Sequence, residues 1–366
     1  MPANENMKKI KLFDPVVDRK EEAAIQKILK SHFWASGAGT GKVLEFENKF
    51  NKYIGSDYCV TVNSGTAALH LALSLIDIKN KEVILPSLSF VSTAHTIIYN
   101  GGKPVFADVD PATMCIDPQM IRKLITKKTK VILPVHFAGM PCDLDEIMTL
   151  CDESNSVLIE DAAHAVGTSY KNKRIGNHGM AVCFSFHPVK NLAMPTGGAI
   201  TLNGKDSRKF NNVLHSRRWC GISNRKGVKY DVRELGWNYY MNEFSAAIGL
   251  EQLKKLDRLN SRRREIAKRY SKEIEADIKM PFNKECSYHF YWILTRKRDN
   301  FMKKMKENNV ETGIHYLPIH KMKFYRQKSK LPITNTIAEQ IVSLPIHPNL
   351  TDSDVNKIIE LTKRFA

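Results

Sequence analysis

Short apolar runs alternate with longer segments of helical periodicity along the first two thirds of the chain. The runs fall at residues 58–62, 82–85, 104–107, 130–134, 156–159, 180–186 and 199–202. They are rich in β-branched and aromatic residues and are bounded by turn residues, which is typical of strands buried on both faces. Because strands and helices alternate, the pattern predicts an α/β fold with a mainly parallel sheet covered by helices.

The last third of the chain has a different pattern. Helical periodicity predicts helices at residues 241–256 and 260–274, and a smaller α/β segment follows, with a strand at 290–294 and helices at 299–308 and 352–366. We therefore predict a large domain over residues 1–256, including an N-terminal arm, and a small C-terminal domain over residues 257–366.

Several residues that can carry chemistry come at or just after the ends of predicted strands. Gly65 and Thr66 follow the first strand, Phe90 follows the second, Asp161 ends a later strand and Lys190 lies just beyond strand 180–186. In parallel sheets, ligands bind at the carboxyl ends of the strands. We therefore expect these residues to surround one site, although a loop lysine or a helix-capping Asp161 is also a common structural feature.

The composition narrows the class of protein. The formal net charge is +18, but the basic residues are spread along the chain and lack a nucleic-acid-binding motif, so we expect an anionic small substrate rather than nucleic acid. The seven cysteines are widely spaced without a C-x-x-C pair, which predicts free thiols and no structural metal. No signal sequence or apolar membrane span is evident, so we expect a cytoplasmic protein with no membrane partner.

The glycine-rich segment at residues 36–42 resembles a phosphate-binding P-loop only weakly. A P-loop requires glycine where Ser36 stands and serine or threonine where Val43 stands. We therefore interpret this segment as a flexible active-site loop.

The residues at the strand ends match the requirements of pyridoxal 5′-phosphate (PLP). A lysine amine forms a Schiff base with its aldehyde, and a carboxylate keeps its pyridine nitrogen protonated. Backbone N–H groups and hydroxyls hold its phosphate, and an aromatic face covers its ring. The candidates for these roles are, in that order, Lys190, Asp161, Gly65 with Thr66 and Ser185, and Phe90.

The chain resembles the DegT/DnrJ/EryC1/StrS family of PLP-dependent sugar aminotransferases. The matching segments occur in family order and are residues 63–69 (NSGTAAL), 86–90 (PSLSF), 160–164 (EDAAH), 185–190 (SFHPVK), 236–238 (GWN) with 246–249 (AAIG), 313–320 (GIHYLPIH) and 343–347 (SLPIH). The resemblance implies a seven-stranded-type sheet sandwiched by helices, the aspartate aminotransferase-like arrangement called fold-type I.

The resemblance also implies a role for each matching residue. Lys190 would form the aldimine with PLP and shuttle the proton, and Asp161 would pair with the pyridine nitrogen. His164 would lie near the ring hydroxyl, and Asn238 would reach the phosphate of a neighbouring subunit in a homodimer with shared sites. The residues expected near the sugar or the partner's cofactor, with the least support, are His187, His315, Tyr316 and His320.

Two positions depart from the family pattern. The family commonly has Gly-Glu-Gly-Gly or Gly-Asp-Gly-Gly after the lysine loop, where this chain has Pro195-Thr196-Gly197-Gly198. The family often has arginine before Met241, where this chain has Tyr240. Neither position belongs to the predicted PLP set, so both bear on the identity of the sugar substrate.

The predicted activity is transfer of an amino group from an amino acid, L-glutamate by family habit, to a nucleotide-linked keto-sugar by a ping-pong mechanism. A PLP-dependent sugar dehydratase of the same family is an alternative, but that branch has histidine in place of Lys190. A non-catalytic regulator and a nucleic-acid-binding protein are further alternatives; the complete set of PLP residues disfavours the former, and no motif supports the latter.

Overall fold

A seven-stranded sheet forms the centre of the molecule, and helices cover both of its faces. The structure is a computed structural model that describes residues 9–276, 278–326 and 329–366. The helices are α1 (Arg19–Ser31), α2 (Gly41–Ile54), α3 (Gly65–Ser74), α4 (Ser92–Tyr99), α5 (Pro118–Leu124), α6 (Leu144–Ser154), α7 (Ser207–Arg217), α8 (Glu243–Glu273), α9 (Arg298–Glu307), α10 (Pro332–Gln340) and α11 (Asp352–Phe365).

The strands fall into one large and three small sheets. They are β1 (Tyr58–Val62), β2 (Glu82–Pro86), β3 (Lys103–Ala107), β4 (Thr129–Ile132), β5 (Val157–Asp161), β6 (Ser169–Tyr170), β7 (Lys173–Arg174), β8 (Ala181–Ser185), β9 (Gly198–Leu202), β10 (Ile222–Lys226), β11 (Lys229–Val232), β12 (Ile278–Lys279), β13 (Tyr291–Leu294) and β14 (Ile341–Leu344). The order in the large sheet is β1-β9-β8-β5-β4-β2-β3.

The large sheet is mainly parallel, which confirms the predicted fold class. Only β9 runs antiparallel to its neighbours, β1 and β8, while β8, β5, β4, β2 and β3 are parallel. Alternate residues of β8 join different apolar clusters: Val182 and Phe184 join one, and Ala181 and Cys183 the other. The continuous apolar run in the sequence therefore reflects burial on both faces of the sheet.

The C-terminal region contains the antiparallel sheet β12-β13-β14 with α9 and α11 packed nearby. The prediction of two helices at 241–256 and 260–274 is wrong, because α8 is continuous. Asn260 resembled a helix start in the sequence, but its side chain donates to the carbonyl of Val166 (3.0 Å) instead of capping a helix. The predicted domain boundary at 256/257 falls inside α8, and the division stays a prediction.

Helix α2 begins inside the segment that was predicted to be a flexible loop, residues 36–42. The turn of residues 36–39 is closed by a hydrogen bond from Gly39 N to Ser36 O (3.0 Å), and α2 begins at Gly41. The side chain of Glu243 accepts hydrogen bonds from the N–H groups of Lys42 (2.7 Å) and Val43 (3.3 Å). A carboxylate already occupies this helix N-terminus, so the segment does not have the open phosphate site of a P-loop.

A buried ion pair joins α2, β1 and the end of α7, and so fixes the strand that leads into Gly65. Glu47 accepts hydrogen bonds from the N–H (2.8 Å) and hydroxyl (2.9 Å) of Thr61 and from the guanidinium of Arg218. Arg218 also donates to the Thr61 carbonyl (2.9 Å). Burial alone would raise the pKa of Glu47, but Arg218 and His215 lower it to about 2.

We predict that Arg218→Met destabilises the protein by roughly 3–5 kcal/mol at about pH 7, because it leaves a buried carboxylate without its partner. In the wild type, the depressed pKa of Glu47 adds stability above about pH 4.5 that is lost as the pH falls toward 2. In Arg218→Met, burial raises the pKa of Glu47 instead, so more of this carboxyl is protonated at lower pH. The destabilisation should therefore be smaller at about pH 5 than at about pH 7. Urea unfolding at both pH values measures this difference.

Two further variants make this test specific. Arg122→Met removes an ion pair with Glu153 in which both side chains are about half exposed, and should cost less than about 1 kcal/mol. Glu47→Gln added to Arg218→Met should recover part of the lost stability, because no charge then remains buried. A loss in Arg218→Met that equals the loss in Arg122→Met would contradict the account.

Candidate active site

The loop between β8 and β9 carries Lys190 and is held at several points. Lys190 N donates to the carbonyl of His187 (2.8 Å), and Met194 N donates to that of Phe186 (2.8 Å). The buried side-chain amide of Asn191 donates to Ser287 O (2.8 Å) and also to Asn260 on α8. The lysine backbone is therefore fixed to both the sheet and the C-terminal region.

Asp161 is the last residue of β5, and its carboxylate is buried. One oxygen accepts from Ala163 N (3.1 Å) and the other from the hydroxyl of Thr93 on α4 (2.8 Å). Burial raises the pKa of this carboxyl, while the two hydrogen bonds and the nearby Lys190 oppose the rise. The side chain is thus fixed in direction, and a cation opposite it would favour its charged form.

Helix α3 begins at the end of β1 and presents its N-terminus to the same place. The Ser64 side chain accepts from Ala67 N (3.1 Å) and caps the helix. A side chain at position 65 would place its Cβ 2.7 Å from the Cβ of Ser185, so glycine is required for this close approach. The first N–H groups of α3 and the hydroxyls of Thr66 and Ser185 form a suitable cradle for a phosphate.

A wall of aromatic and imidazole rings faces these residues. The hydroxyl of Tyr316 lies 3.0 Å from Nε2 of His164, and the two rings are nearly parallel. Phe90 lies beside Tyr316, with 56% of its surface exposed. His315 is stacked on Phe290, and its Nδ1 lies 2.8 Å from the Ser343 hydroxyl.

The pKa values of this wall reflect its burial. Burial lowers the pKa of His164 well below its usual range and that of His315 to about 4, and the nearby Lys190 adds to both effects. Burial also raises the pKa of the Tyr316 hydroxyl. The rings are therefore neutral near pH 7 and present a hydrogen-bonding surface without charge.

One cavity of about 330 Å³ collects most of the predicted residues. Its lining includes the predicted residues Gly65, Thr66, Phe90, Asp161, His164, Ser185, His187, Lys190, His315 and Tyr316. Thr196 and Gly197 of the unusual loop sequence line it as well. A single cavity therefore holds a lysine, a carboxylate, a helix N-terminus and an aromatic wall.

Two predicted residues lie outside the cavity lining. His320 is buried, and its Nδ1 lies 2.7 Å from the hydroxyl of Ser87. Asn238 is exposed, and its backbone carbonyl accepts from the side chain of Asn63 (3.3 Å). The predicted contacts of both residues with a substrate or a neighbouring subunit's cofactor stay predictions.

Thr93 and His289 contact predicted site residues but were not predicted themselves. Thr93, which orients Asp161, lies three residues after Phe90 on the first turn of α4, so helical spacing from Phe90 was the available signal. His289 has its Nε2 3.4 Å from Nζ of Lys190. It comes from the C-terminal region, and no local pattern connects it with the lysine loop.

The arrangement fits PLP on several independent points. Lys190 is partly accessible from the cavity and buried from bulk solvent, and this burial lowers its pKa to about 8, although Asp161 opposes the shift. Gly65 leaves the space that a phosphate needs, and Asp161 supplies a fixed buried carboxylate. Nδ1 of His164 is buried and has no hydrogen-bond partner among the described residues, so this atom can form a hydrogen bond with a ligand.

Other kinds of site have no support in the described part of the chain. Across residues 9–276, 278–326 and 329–366, no group of histidine, cysteine, aspartate and glutamate side chains is arranged to hold a metal ion. Within the same ranges, no helix combines the length and the apolar character that a membrane crossing requires.

Comparison with known proteins agrees with this site. The model of the DegT/DnrJ/EryC1/StrS aminotransferase family matches residues 15–363. The uncharacterized protein MJ1066 of Methanocaldococcus jannaschii is 36% identical over 376 aligned positions, which cover 97% of both chains. PseC of Helicobacter pylori, an aminotransferase of pseudoaminic acid biosynthesis, has a TM-score of 0.92 and 26% identity, covering 98% of this chain and 99% of that one.

Spr1654 of Streptococcus pneumoniae in its PLP form also has a TM-score of 0.92, with 26% identity and 98% coverage of both chains. The family match extends over both the large sheet and the C-terminal region, and it includes the segments that form the cavity. The resemblance inferred from the sequence is thereby confirmed: the chain belongs to the DegT/DnrJ/EryC1/StrS family of PLP-dependent sugar aminotransferases.

Proposed function

We propose that this protein uses PLP to transfer an amino group from an amino acid, L-glutamate, to a nucleotide-linked keto-sugar. The observation that carries the proposal is the convergence of Lys190 and Asp161 in one cavity. Asp161 is the last residue of β5, and Lys190 follows β8. These two strands are parallel neighbours, so the sheet itself brings the two side chains together.

Lys190 provides the attachment point and the proton carrier. When bound, PLP supplies an electron sink that allows the amino group to leave the donor. Nζ of Lys190 would take the proton from the α-carbon of the donor and deliver it to C4′ of the cofactor. In the second half of the cycle it would move a proton from C4′ to the sugar carbon that receives the amine. Because burial lowers its pKa to about 8, roughly one tenth of the amine is neutral at about pH 7 and able to accept that proton.

Asp161 holds a cationic pyridine nitrogen. Burial raises the pKa of this carboxyl, and among the described side-chain cations Lys190 opposes that rise most strongly. A protonated ring nitrogen placed opposite would favour the charged carboxylate and would itself be stabilised. Thr93 and Ala163 N hold the carboxylate in the required direction, so its orientation does not depend on the ligand.

The mouth of the cavity suits a large anionic substrate. Phe90 and His187 are exposed there, and Thr196 contributes a hydroxyl to the lining. The formal net charge of +18 creates a long-range attraction for the phosphates of a nucleotide. The residues that choose the sugar therefore lie at the rim, where this chain departs from the family pattern at Pro195-Thr196.

We also propose a homodimer with shared sites, in the cytoplasm. Asn238 is exposed outside its own cavity, and apolar side chains nearby in sequence are also exposed, including Val228 (90%) and Leu235 (78%). Exposed apolar side chains of this size are characteristic of surfaces that become buried on association. The seven cysteines are free, as expected for a reducing compartment.

A substrate panel tests the reaction. We expect the wild type to form 2-oxoglutarate from L-glutamate with at least one of a set of UDP-, dTDP- and GDP-linked keto-sugars. Lys190→Ala should lose turnover and the visible absorbance of the lysine-bound cofactor, because Lys190 is the only lysine among the described residues that line the cavity. Lys49→Ala, which changes a half-exposed lysine paired with Glu45 on α2, is the matched control and should retain both. Transamination by Lys190→Ala would disprove the role of this lysine.

Hybrid dimers test the shared site. If Asn238 acts on the partner's cofactor, a hybrid of Lys190→Ala with Asn238→Ala contains one intact site and should have about half of the wild-type activity. Each homodimeric variant should be much less active. Co-expression with two affinity tags isolates the hybrid.

The reciprocal hybrid is the control. A chain that carries both substitutions, paired with a wild-type chain, should be nearly inactive when Asn238 acts across the interface. The opposite pattern, with activity only in the reciprocal hybrid, would show that Asn238 acts within its own subunit. A monomer in analytical ultracentrifugation would contradict the proposal altogether.

A further inference from the structure

His289 contacts Lys190 and has no part in the mechanism above. Its Nε2 lies 3.4 Å from Nζ of Lys190, and its ring is only 1% exposed. The residue precedes β13, and its backbone N–H donates to the carbonyl of Ala138 (2.9 Å). A residue of the C-terminal region is thus anchored to the large sheet's connecting loops at the reactive amine.

Two neighbouring rings fix the orientation of the His289 imidazole. Phe13 is stacked on it at 5.1 Å with an interplanar angle of 19°, and His164 lies at 4.6 Å with an angle of 30°. A ring held in this way cannot swing toward or away from the cavity without breaking both contacts. Nε2 is therefore a fixed hydrogen-bonding atom beside the flexible side chain of Lys190.

The surroundings keep this imidazole neutral. Burial lowers the pKa of His289 well below its usual range, and the charges of Lys190 and Arg263 lower it further. Arg263 is buried and donates to the carbonyls of Tyr288 (3.3 Å) and His289 (3.5 Å). Among the described residues, the ionisable groups around the Lys190–His289 contact are Asp161, His164, His187, Arg263, His315 and Tyr316.

We propose that His289 is a positioning residue that holds the free amine of Lys190 whenever this amine is not bonded to the cofactor. The inference rests on the proposed role of Lys190 as attachment point and proton carrier. In each half of the reaction the amine is released and must then act on a specific carbon. A lysine side chain is a flexible stem of four carbons, so a fixed acceptor at 3.4 Å restricts where the released amine goes.

The contact should change the proton affinity of Lys190 in a direction that can be measured. In the tautomer with the proton on Nδ1, Nε2 of the neutral ring accepts a hydrogen bond from the ammonium form of Lys190 and stabilises that form. Loss of the acceptor should therefore reduce the proton affinity of Lys190 further, beyond the reduction that burial already causes. Replacement of the imidazole by a ring without nitrogen removes the acceptor but keeps the ring packing, so the two effects can be distinguished.

The test compares three substitutions of His289 in the cofactor-free full-length protein. His289→Phe keeps the ring stack, His289→Asn is too short to reach the amine, and His289→Gln retains an acceptor of suitable reach. Competitive labelling with acetic anhydride over a range of pH, followed by peptide mass spectrometry, gives the proton affinity of Lys190. We expect it to fall about tenfold in the Phe and Asn variants and to change less than about twofold in the Gln variant.

His347→Phe is the matched control. His347 is also a buried imidazole, but its Nε2 bonds to the carbonyl of Lys11 (3.0 Å), so its loss should leave Lys190 unchanged. In the PLP-loaded enzyme, His289→Phe should lower kcat about tenfold with little change in KM, and His289→Gln should restore most of it. An unchanged or higher proton affinity of Lys190 in both the Phe and Asn variants would overturn the proposal.

The outcome remains separable from that of the proposed function. Labelling of the cofactor-free protein reports on the contact whether or not the wild type transaminates a sugar. If the wild type fails on every keto-sugar but Lys190 loses proton affinity in His289→Phe, the contact is established and the substrate assignment fails. If the wild type transaminates and the Phe and Asn variants leave the proton affinity unchanged, the proposed function stands and the role of His289 is disproved.

Discussion

The burial of the Asp161 carboxylate is the constraint on which the site depends. A charge at the end of a buried strand is costly unless donors or a cation compensate for it. Thr93 and the backbone of Ala163 supply the donors, and they fix the direction of the carboxylate without neutralising it. A positive charge in the cavity can stabilise the carboxylate further, and Lys190, which lines the cavity, already does so. A ligand with a protonated nitrogen would supply a further positive charge beside this carboxylate.

The fold brings the other parts of the site to this carboxylate. The parallel pair β5–β8 places Lys190 beside it, and β1 delivers the N-terminus of α3 on the other side of β8 and β9. The C-terminal region then covers the cavity with His315 and Tyr316 and reaches the lysine with His289. The large sheet thus supplies the charged and phosphate-binding groups, while the C-terminal region supplies neutral rings that exclude water.

Local sequence predicted the strand ends well because burial on both faces leaves a strong apolar signal. Gly65, Asp161 and Lys190 each follow such a run, and the sheet brings them into one cavity. Prediction from local sequence failed where tertiary contacts override the local pattern. Asn260 resembled a helix start but is buried within α8, where it bonds to Val166. His289 lies 99 positions from Lys190 along the chain, so only the packing of the C-terminal region reveals their contact.

We propose that Asp161 keeps the ring nitrogen of bound PLP protonated. The ¹⁵N chemical shift of pyridine-labelled PLP, bound to the wild type and to Asp161→Asn, measures this protonation. We expect a protonated nitrogen in the wild type from about pH 6 to about pH 9, and an unprotonated one in the variant over the same range. An unprotonated nitrogen in the wild type, or a protonated one in Asp161→Asn, would show that the carboxylate does not have this role.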